Sequence, residues 1–277
     1  TKGRRERENS VVLSDGTGNF ADVPLVVLID EFTASSSEIF SGAIQDNDRG
    51  LVVGRRSFGK GLVQRSFELP DSSELRLTVQ RYYTPSGRCI QKSFLRGDNE
   101  SYEAEILERY NHGENFVADS ADFRSGEVFT TVGGRKVYGG GGIMPDVFVP
   151  SDTSGINKFY IELANANLLN RFAFEYADLN RADLSQAKNT AELLAKLPSD
   201  AVLMSAFASY VRQNGVRLRY YYLNNSRRLI VRQLKALIAR DILGVRAFYE
   251  IDNTDDSMVN EAIRRIRSGA AVIEGKQ

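Results

Sequence analysis

Residues 24–64 constrain this chain more tightly than any other stretch. Pro24 opens an apolar run, Leu25 to Ile29, whose unbroken hydrophobicity predicts a strand buried on both faces. The polar cluster Thr33-Ala34-Ser35-Ser36-Ser37-Glu38 ends the run. A helical pattern follows, with Ile39, Phe40, Ala43 and Ile44 on one face. Ser35, Ser36 and Ser37 stand where helix N-caps belong, so capping alone accounts for one or two of them. Leu51 to Val53 predicts a second short strand, and Gly54 to Gly61 a loop carrying Lys60. Strand, serine turn, helix, strand and lysine loop make one βαβ unit, which calls for a parallel strand pair.

What the chain lacks narrows the chemistry. It has one histidine, His112, and one cysteine, Cys89. A serine nucleophile needs a base within hydrogen-bond reach, and His112 lies in a polar stretch of the kind that forms solvated surface. Lys60 is the better base. Gly59 and Gly61 flank it and leave room for close approach. A lysine buried beside a neutral hydroxyl also gives up its proton more readily, because desolvation disfavours the charged form. Gln64, four residues on, shares a face with Lys60 in an extended or a helical segment and is suited to orient the amine. Gly54 to Lys60 also fits the front of a phosphate-binding loop, G-x-x-x-x-G-K. Gly61 stands where the Mg²⁺-holding hydroxyl belongs, however, and the following residues alternate as a strand instead of opening a helix toward the anion. Nucleotide binding is therefore the weaker alternative.

Thr33 to Ile39 resembles the SASASEI signature of the C-terminal processing peptidases, also called tail-specific proteases. Gly42 to Asp46, Val53-Gly54 and Ser57 to Gln64 continue the likeness in register. Thr33 replaces the signature's first serine, and Ser36 replaces an alanine. Thr84 to Gln91 is similar to the family's TPSGRSIQ stretch, with Cys89 where serine is usual; a small packed thiol is the expected role. Gly139 to Val147 carries the likeness of its GGGIxPD segment, read here as a structural turn.

The resemblance implies a serine endopeptidase with a Ser-Lys dyad. Ser35 would be the nucleophile, Lys60 the general base, Gln64 the residue assisting the lysine, and the N–H of Ser36 an oxyanion donor. It implies an α/β fold, a ClpP/crotonase-like core of which residues 1–150 are the C-terminal part. Substrates would be proteins or peptides recognised by their C-termini, with no metal or organic cofactor, in the bacterial cell envelope facing the periplasm. The family also places a PDZ-like domain, the first half of the core and a second oxyanion donor upstream. The chain opens on Thr1 with no signal peptide, which reads as an excision point, so a fragment inactive or nearly so alone is expected. Losing one oxyanion donor costs on the order of 3 kcal/mol. A non-catalytic scaffold that kept the protease fold is the alternative, and the intact Ser35, Lys60 and Gln64 speak against it.

Composition removes other classes. Lys+Arg and Asp+Glu balance at 36 each among 277 residues, so no basic field points to nucleic acid or an anionic membrane. No run approaches the roughly 18 apolar residues of a membrane span, so no membrane insertion is expected of this chain. A single cysteine excludes an intrachain disulfide.

Residues 1–23 read as an exposed connector. Residues 62–69 and 74–83 predict a hairpin, half-buried through Leu75, Leu77 and Val79. Residues 92–131 read as an insertion over the core, with a helix from Tyr102 to Tyr110 and no assignable chemistry. Residues 128–132 and 135–138 predict strands. From about Ile156 the pattern turns helical, and residues 151–277 predict an all-α C-terminal domain with helices over 157–170, 201–214, 224–243 and 255–267. Val259, Ile263 and Ile266 should face inward on the last, and Tyr220 to Tyr222 should pack in the core. A homo-oligomer is compatible with these apolar stripes, although core packing accounts for them first.

Overall fold

The structure, a computed structural model, describes residues 1–93, 97–118 and 126–271. Parts of the expected insertion (94–96 and 119–125) and the end of the expected helical domain (272–277) lie outside the described residues. The chain divides into two units: residues 1–151 with the chain from Ser257 onward, and Asp152–Asp256.

The first unit is mixed α/β. Strand β1 (Lys2–Gly3) is followed by β2 (Val26–Ile29), helix α1 (Ser36–Asp46) and β3 (Leu51–Gly54). β2 and β3 run parallel, with Val26 opposite Leu51 and Ile29 opposite Gly54, and α1 is the crossover between them. Next come β4 (Leu62–Glu68), β5 (Glu74–Arg81), α2 (Asn99–Asn111), β6 (Val128–Thr130), β7 (Lys136–Tyr138) and β8 (Val147–Phe148). β8 joins β3 in parallel, giving the order β2-β3-β8, while β4 and β5 form an antiparallel hairpin and β6 pairs with β7.

Burial separates the two strands of the βαβ unit. All four residues of β3 are buried: a strand lies on each side of it, α1 packs on it, and Val52 and the pair Leu51 and Val53 enter separate apolar clusters. β2 is the outer strand of that sheet among the described residues, and Leu28 stays 37% exposed, so the two-faced burial expected of it is not met. Residues 1–23 are not wholly connector either. Lys2 and Gly3 pair with Arg81 and Gln80 on the edge of β5. In the hairpin, Phe67 stands opposite Leu75, and Phe67, Leu69, Leu75 and Leu77 remain 40–45% exposed. The alternation was legible, but its apolar face is not half-buried as expected.

A buried ion pair anchors the far end of α1. Asp46 stands in the last turn, where the helix dipole disfavours a carboxylate. Arg88, fully buried, donates to Asp46 Oδ1 at 2.8 Å, to Gln45 Oε1 at 2.7 Å and to the Tyr138 carbonyl at 2.9 Å. Burial pulls the Arg88 guanidinium below its ordinary value, and the Asp46 charge is the chief influence opposing this.

The second unit is helical among the described residues: α3 (Lys158–Asn165), α4 (Leu168–Leu179), α5 (Arg181–Leu184), α6 (Thr190–Lys196), α7 (Asp200–Gln213), α8 (Tyr220–Asn225), α9 (Arg227–Leu243) and α10 (Val245–Asp252). Its core gathers Phe159, Leu163, Phe172, Phe207, Ile230 and Leu234, with α9 packed against α4 and α10. The single helix expected over 157–170 is two. Asn167 takes a left-handed φ of 55°, which asparagine tolerates better than most residues, and breaks the run. Ser226 likewise separates α8 from α9; its buried hydroxyl donates to the Gly155 carbonyl at 2.6 Å. Tyr220, Tyr221 and Tyr222 are exposed, contrary to the core role expected of them.

Helix α11 (Ser257–Arg267) groups with the first unit, against the assignment to the helical domain. It packs on β2 and β3, and Met258 meets the cluster of Leu51, Val53 and Val149. Ile263 and Ile266, expected inward, are 40% and 43% exposed. Glu261 is held at about 2, chiefly by its hydrogen bond from Arg264 and then that from Arg265.

Two outcomes are expected. Arg88→Ala leaves Asp46 buried and unpaired, which should cost about 3–5 kcal/mol. Hydrogen exchange of the β3 amides reads this in the first unit alone, and a loss below about 1 kcal/mol contradicts it. Because the folded-state pKa of Glu261 is depressed, its contribution is present above the ordinary value of 4.5 and is lost as pH falls toward about 2. NMR shifts of α11 should report loosening in that window, and Glu261→Gln should remove the pH dependence.

Candidate active site

The chain turns sharply between β2 and α1. Asp30 Oδ1 accepts from the N–H of Phe32 at 3.1 Å and of Thr33 at 3.0 Å, and from the Thr33 hydroxyl, so one short side chain shapes the turn. Ser35 is the N-cap of α1 and has φ 58°, ψ −118°. A residue with a Cβ enters that region at a cost of order 1–3 kcal/mol. Ser36 is the first helical residue and is exposed. Its N–H meets no acceptor among the described residues, as expected of an N-terminal helix amide.

Glu38 holds the strained turn in place. Its carboxylate is fully buried at the third position of α1. Oε2 accepts from the N–H of Ser35 at 2.9 Å and of Lys60 at 2.8 Å; Oε1 accepts from the N–H of Gly59 at 2.6 Å and from the Ser57 hydroxyl. The dipole at the start of α1 adds to this set of donors. The Ser57 hydroxyl in turn accepts from the N–H of Ile143 at 2.7 Å, and the N–H of Phe58 donates to the Thr33 carbonyl at 2.9 Å. One carboxylate thus ties the serine turn, the lysine loop and the glycine segment together.

Two glycines make that approach feasible. A Cβ on Gly142 would stand 2.7 Å from the Ser57 hydroxyl and 3.1 Å from the Glu38 carboxylate; one on Gly59 would meet the backbone N of Gly142 at 3.2 Å. Both also have φ near 90°. The glycine run is a turn that lets three segments close on Glu38.

Lys60 is half-buried and Gln64 exposed. They line one cleft of about 780 Å³ with Lys2, Arg81, Tyr83 and Tyr102. Ser35 is not part of its wall, and among the described residues no hydrogen bond joins Ser35 to Lys60. The structure therefore places Lys60 and Gln64 on the wall of one cleft, and ties the backbone of Ser35 to that of Lys60 through the Glu38 carboxylate. His112 is exposed at the end of α2, and Cys89 is a part-buried free thiol whose carbonyl accepts from Gly140. The nucleotide alternative loses its physical basis. The amides of Gly59 and Lys60 are already taken by Glu38, and the loop leads into β4, not into a helix.

Glu38 is the residue that sequence reasoning missed as a functional group. Its signal was present: Ser35-x-x-Glu38 is the spacing of a capping box, in which the glutamate reaches back to the N-cap amide. That Gly59, Lys60 and Ser57 would converge on the same carboxylate was not legible locally.

Residues 1–100 match peptidase family S41, and residues 159–244 match a family of unknown function (DUF8443). A carboxyl-terminal-processing protease of Picosynechococcus sp. is 54% identical over 77 residues, covering 28% of this chain and 19% of that protein. A chloroplastic C-terminal processing peptidase of Tetradesmus obliquus is 48% identical over 79 residues, 28% of this chain and 17% of its own length. A solved photosystem II D1 C-terminal processing protease is 31% identical and covers 47% of this chain and 21% of that one; its TM-score of 0.28 carries no structural argument. The chain spans less than a quarter of the length of each of these proteins. Among the described residues, no helix is long and apolar enough to cross a membrane.

If Glu38 is the tie, Glu38→Ala should expose the amides of Ser35, Gly59 and Lys60 to exchange. Each hydrogen bond to a charged group is worth about 1.5–3 kcal/mol, so protection at these three should fall together by at least tenfold. Unchanged protection at Lys60 would mean that the loop is held by other contacts.

Proposed function

We propose that this chain, whose residues 1–100 match peptidase family S41, carries the Ser-Lys dyad of a C-terminal processing serine endopeptidase. The observation that supports this most is the strained Ser35 tied by one carboxylate to the backbone of Lys60. Lys60 takes the proton of the Ser35 hydroxyl as its oxygen bonds to the scissile carbonyl carbon, and the N–H of Ser36 receives the developing oxyanion. The proton passes from Lys60 to the leaving amine, which departs with its electron pair and leaves an acyl-enzyme. Water, deprotonated by Lys60, then hydrolyses the ester and returns the proton to Ser35. Gln64, on the wall of the same cleft as Lys60, orients the amine.

On this reading, residues 1–150 are the C-terminal part of a ClpP/crotonase-like core and residues 151–277 the appended helical region, with α11 returning to the core. Substrates are proteins presented by their C-termini, and the site of action is the bacterial cell envelope facing the periplasm. The chain needs upstream sequence for a second oxyanion donor and hydrolyses little alone. A second reading, a scaffold with an unassembled dyad, is favoured by one observation: Ser35 and Lys60 share no hydrogen bond among the described residues.

The deciding experiment is casein hydrolysis by this chain and by one extended upstream, each with Ser35→Ala and Lys60→Ala counterparts. The expected result is hydrolysis by the extended chain only, rising with pH along one limb as the base loses its proton, and reduced at least about a thousandfold by either substitution. Inertness of the extended chain makes the scaffold reading the better one.

A further inference from the structure

The lysine loop is gripped from outside the serine turn as well. The segment 97–118, built on α2, lies mostly beyond the residues that match the peptidase family. Arg109 is only 5% exposed and spans two consecutive loop carbonyls, donating to that of Arg56 at 2.7 Å and that of Ser57 at 3.0 Å. Its Nε donates to Glu114 at 3.0 Å, and Glu114 accepts two bonds from Arg56, at 2.6 and 2.8 Å. One buried carboxylate therefore stands between two guanidiniums that would otherwise repel each other. Burial, and then the charge of Arg56, pull the Arg109 guanidinium below its ordinary value. A second grip lies one residue along. The ring of Phe58 packs edge-on to Tyr102 of α2 at 5.6 Å, and the buried Lys92 ammonium sits 4.0 Å and 4.2 Å from the two ring centroids.

We propose that Arg109 and Glu114 are positioning residues for Lys60: they fix the Arg56–Ser57 backbone, and through Ser57 and Glu38 they set where the base stands. The inference rests on the dyad reading above. Its physical basis is the chain of contacts from Arg109 to the Ser57 carbonyl, from the Ser57 hydroxyl to Glu38, and from Glu38 to the Lys60 N–H. The arginine fork makes the grip specific. A lysine keeps the charge but cannot span two carbonyls and a carboxylate at once. Glu114→Gln removes the charge between two arginines while nearly keeping its shape.

The test compares Arg109→Lys, Glu114→Gln and the exposed-face control Glu108→Gln in the upstream-extended chain, with unfolding midpoints measured alongside. Displacing a base by about 1 Å can cost on the order of a hundredfold in rate. Arg109→Lys and Glu114→Gln should therefore lower kcat about ten- to a hundredfold, with KM within threefold, and shift the rising limb of the pH–rate curve. Glu108→Gln should leave all three unchanged. Hydrogen exchange in the present chain supplies an arm independent of hydrolysis: the amides of Gly59 and Lys60 should lose protection in Arg109→Lys and Glu114→Gln only. If Ser35→Ala still hydrolyses casein, the dyad reading fails, and the exchange arm still decides whether the grip on the loop exists. The proposal is overturned by unchanged kcat and protection in both variants, or by activity lost only in proportion to global unfolding.

Discussion

A buried carboxylate cannot be left without donors, and that requirement shapes the first unit. Taking Glu38 out of water carries a desolvation penalty that only several hydrogen bonds and a favourable dipole offset. Its own helix supplies the dipole and the amide of Ser35. The lysine loop supplies two more amides and the Ser57 hydroxyl. Satisfying one side chain therefore fixes two segments to each other. The unfavourable backbone of Ser35 persists because the same contacts over-determine it.

The surroundings use the same principle at longer range. Arg88 with Asp46, Arg55 with Glu31, and Arg56 and Arg109 with Glu114 are buried or nearly buried pairs grouped around α1 and the exit of β3. The apolar clusters beside them are small, such as Ile29, Val52, Ile90 and Ile143. Buried pairs of this kind add little net stability over apolar packing, but they tolerate few alternative arrangements. The second unit is organised differently, with a broad apolar core around α9 and most of its ion pairs on the surface. The proposed Ser-Lys chemistry, which needs the two residues held in register, suits the first design better than the second.

Much of this was readable from residue order. The apolar run, the serine turn, the helix and the second strand predicted a parallel βαβ unit, and Val26 and Leu51 do pair in that sense. The hairpin and the helix within 92–131 were legible from alternation and periodicity, and β4, β5 and α2 are there. Sequence patterns proved less reliable about what lies above an element. Leu75 and Leu77 have the spacing of a covered face yet remain exposed, and Ile263 and Ile266 read as inward on a helix that turns them outward. Periodicity identifies an apolar face but not whether anything packs on it.

The sequence by itself determined which side chains are available for chemistry: one histidine, one cysteine, a serine cluster and a glycine-flanked lysine. It also determined the local elements that carry them, because strand and helix periods and capping spacings are properties of neighbours along the chain. Only the tertiary structure decided that Glu38 joins Ser35 to Lys60, that α11 leaves the helical unit for β2 and β3, and that Arg109 and Glu114 reach back across some fifty residues to the lysine loop. Those contacts depend on the distance between segments after folding. A carboxylate finds its distant donors in space: the capping-box spacing records the Ser35 amide, but nothing in the order of residues records that Ser57, Gly59 and Lys60 will be the others.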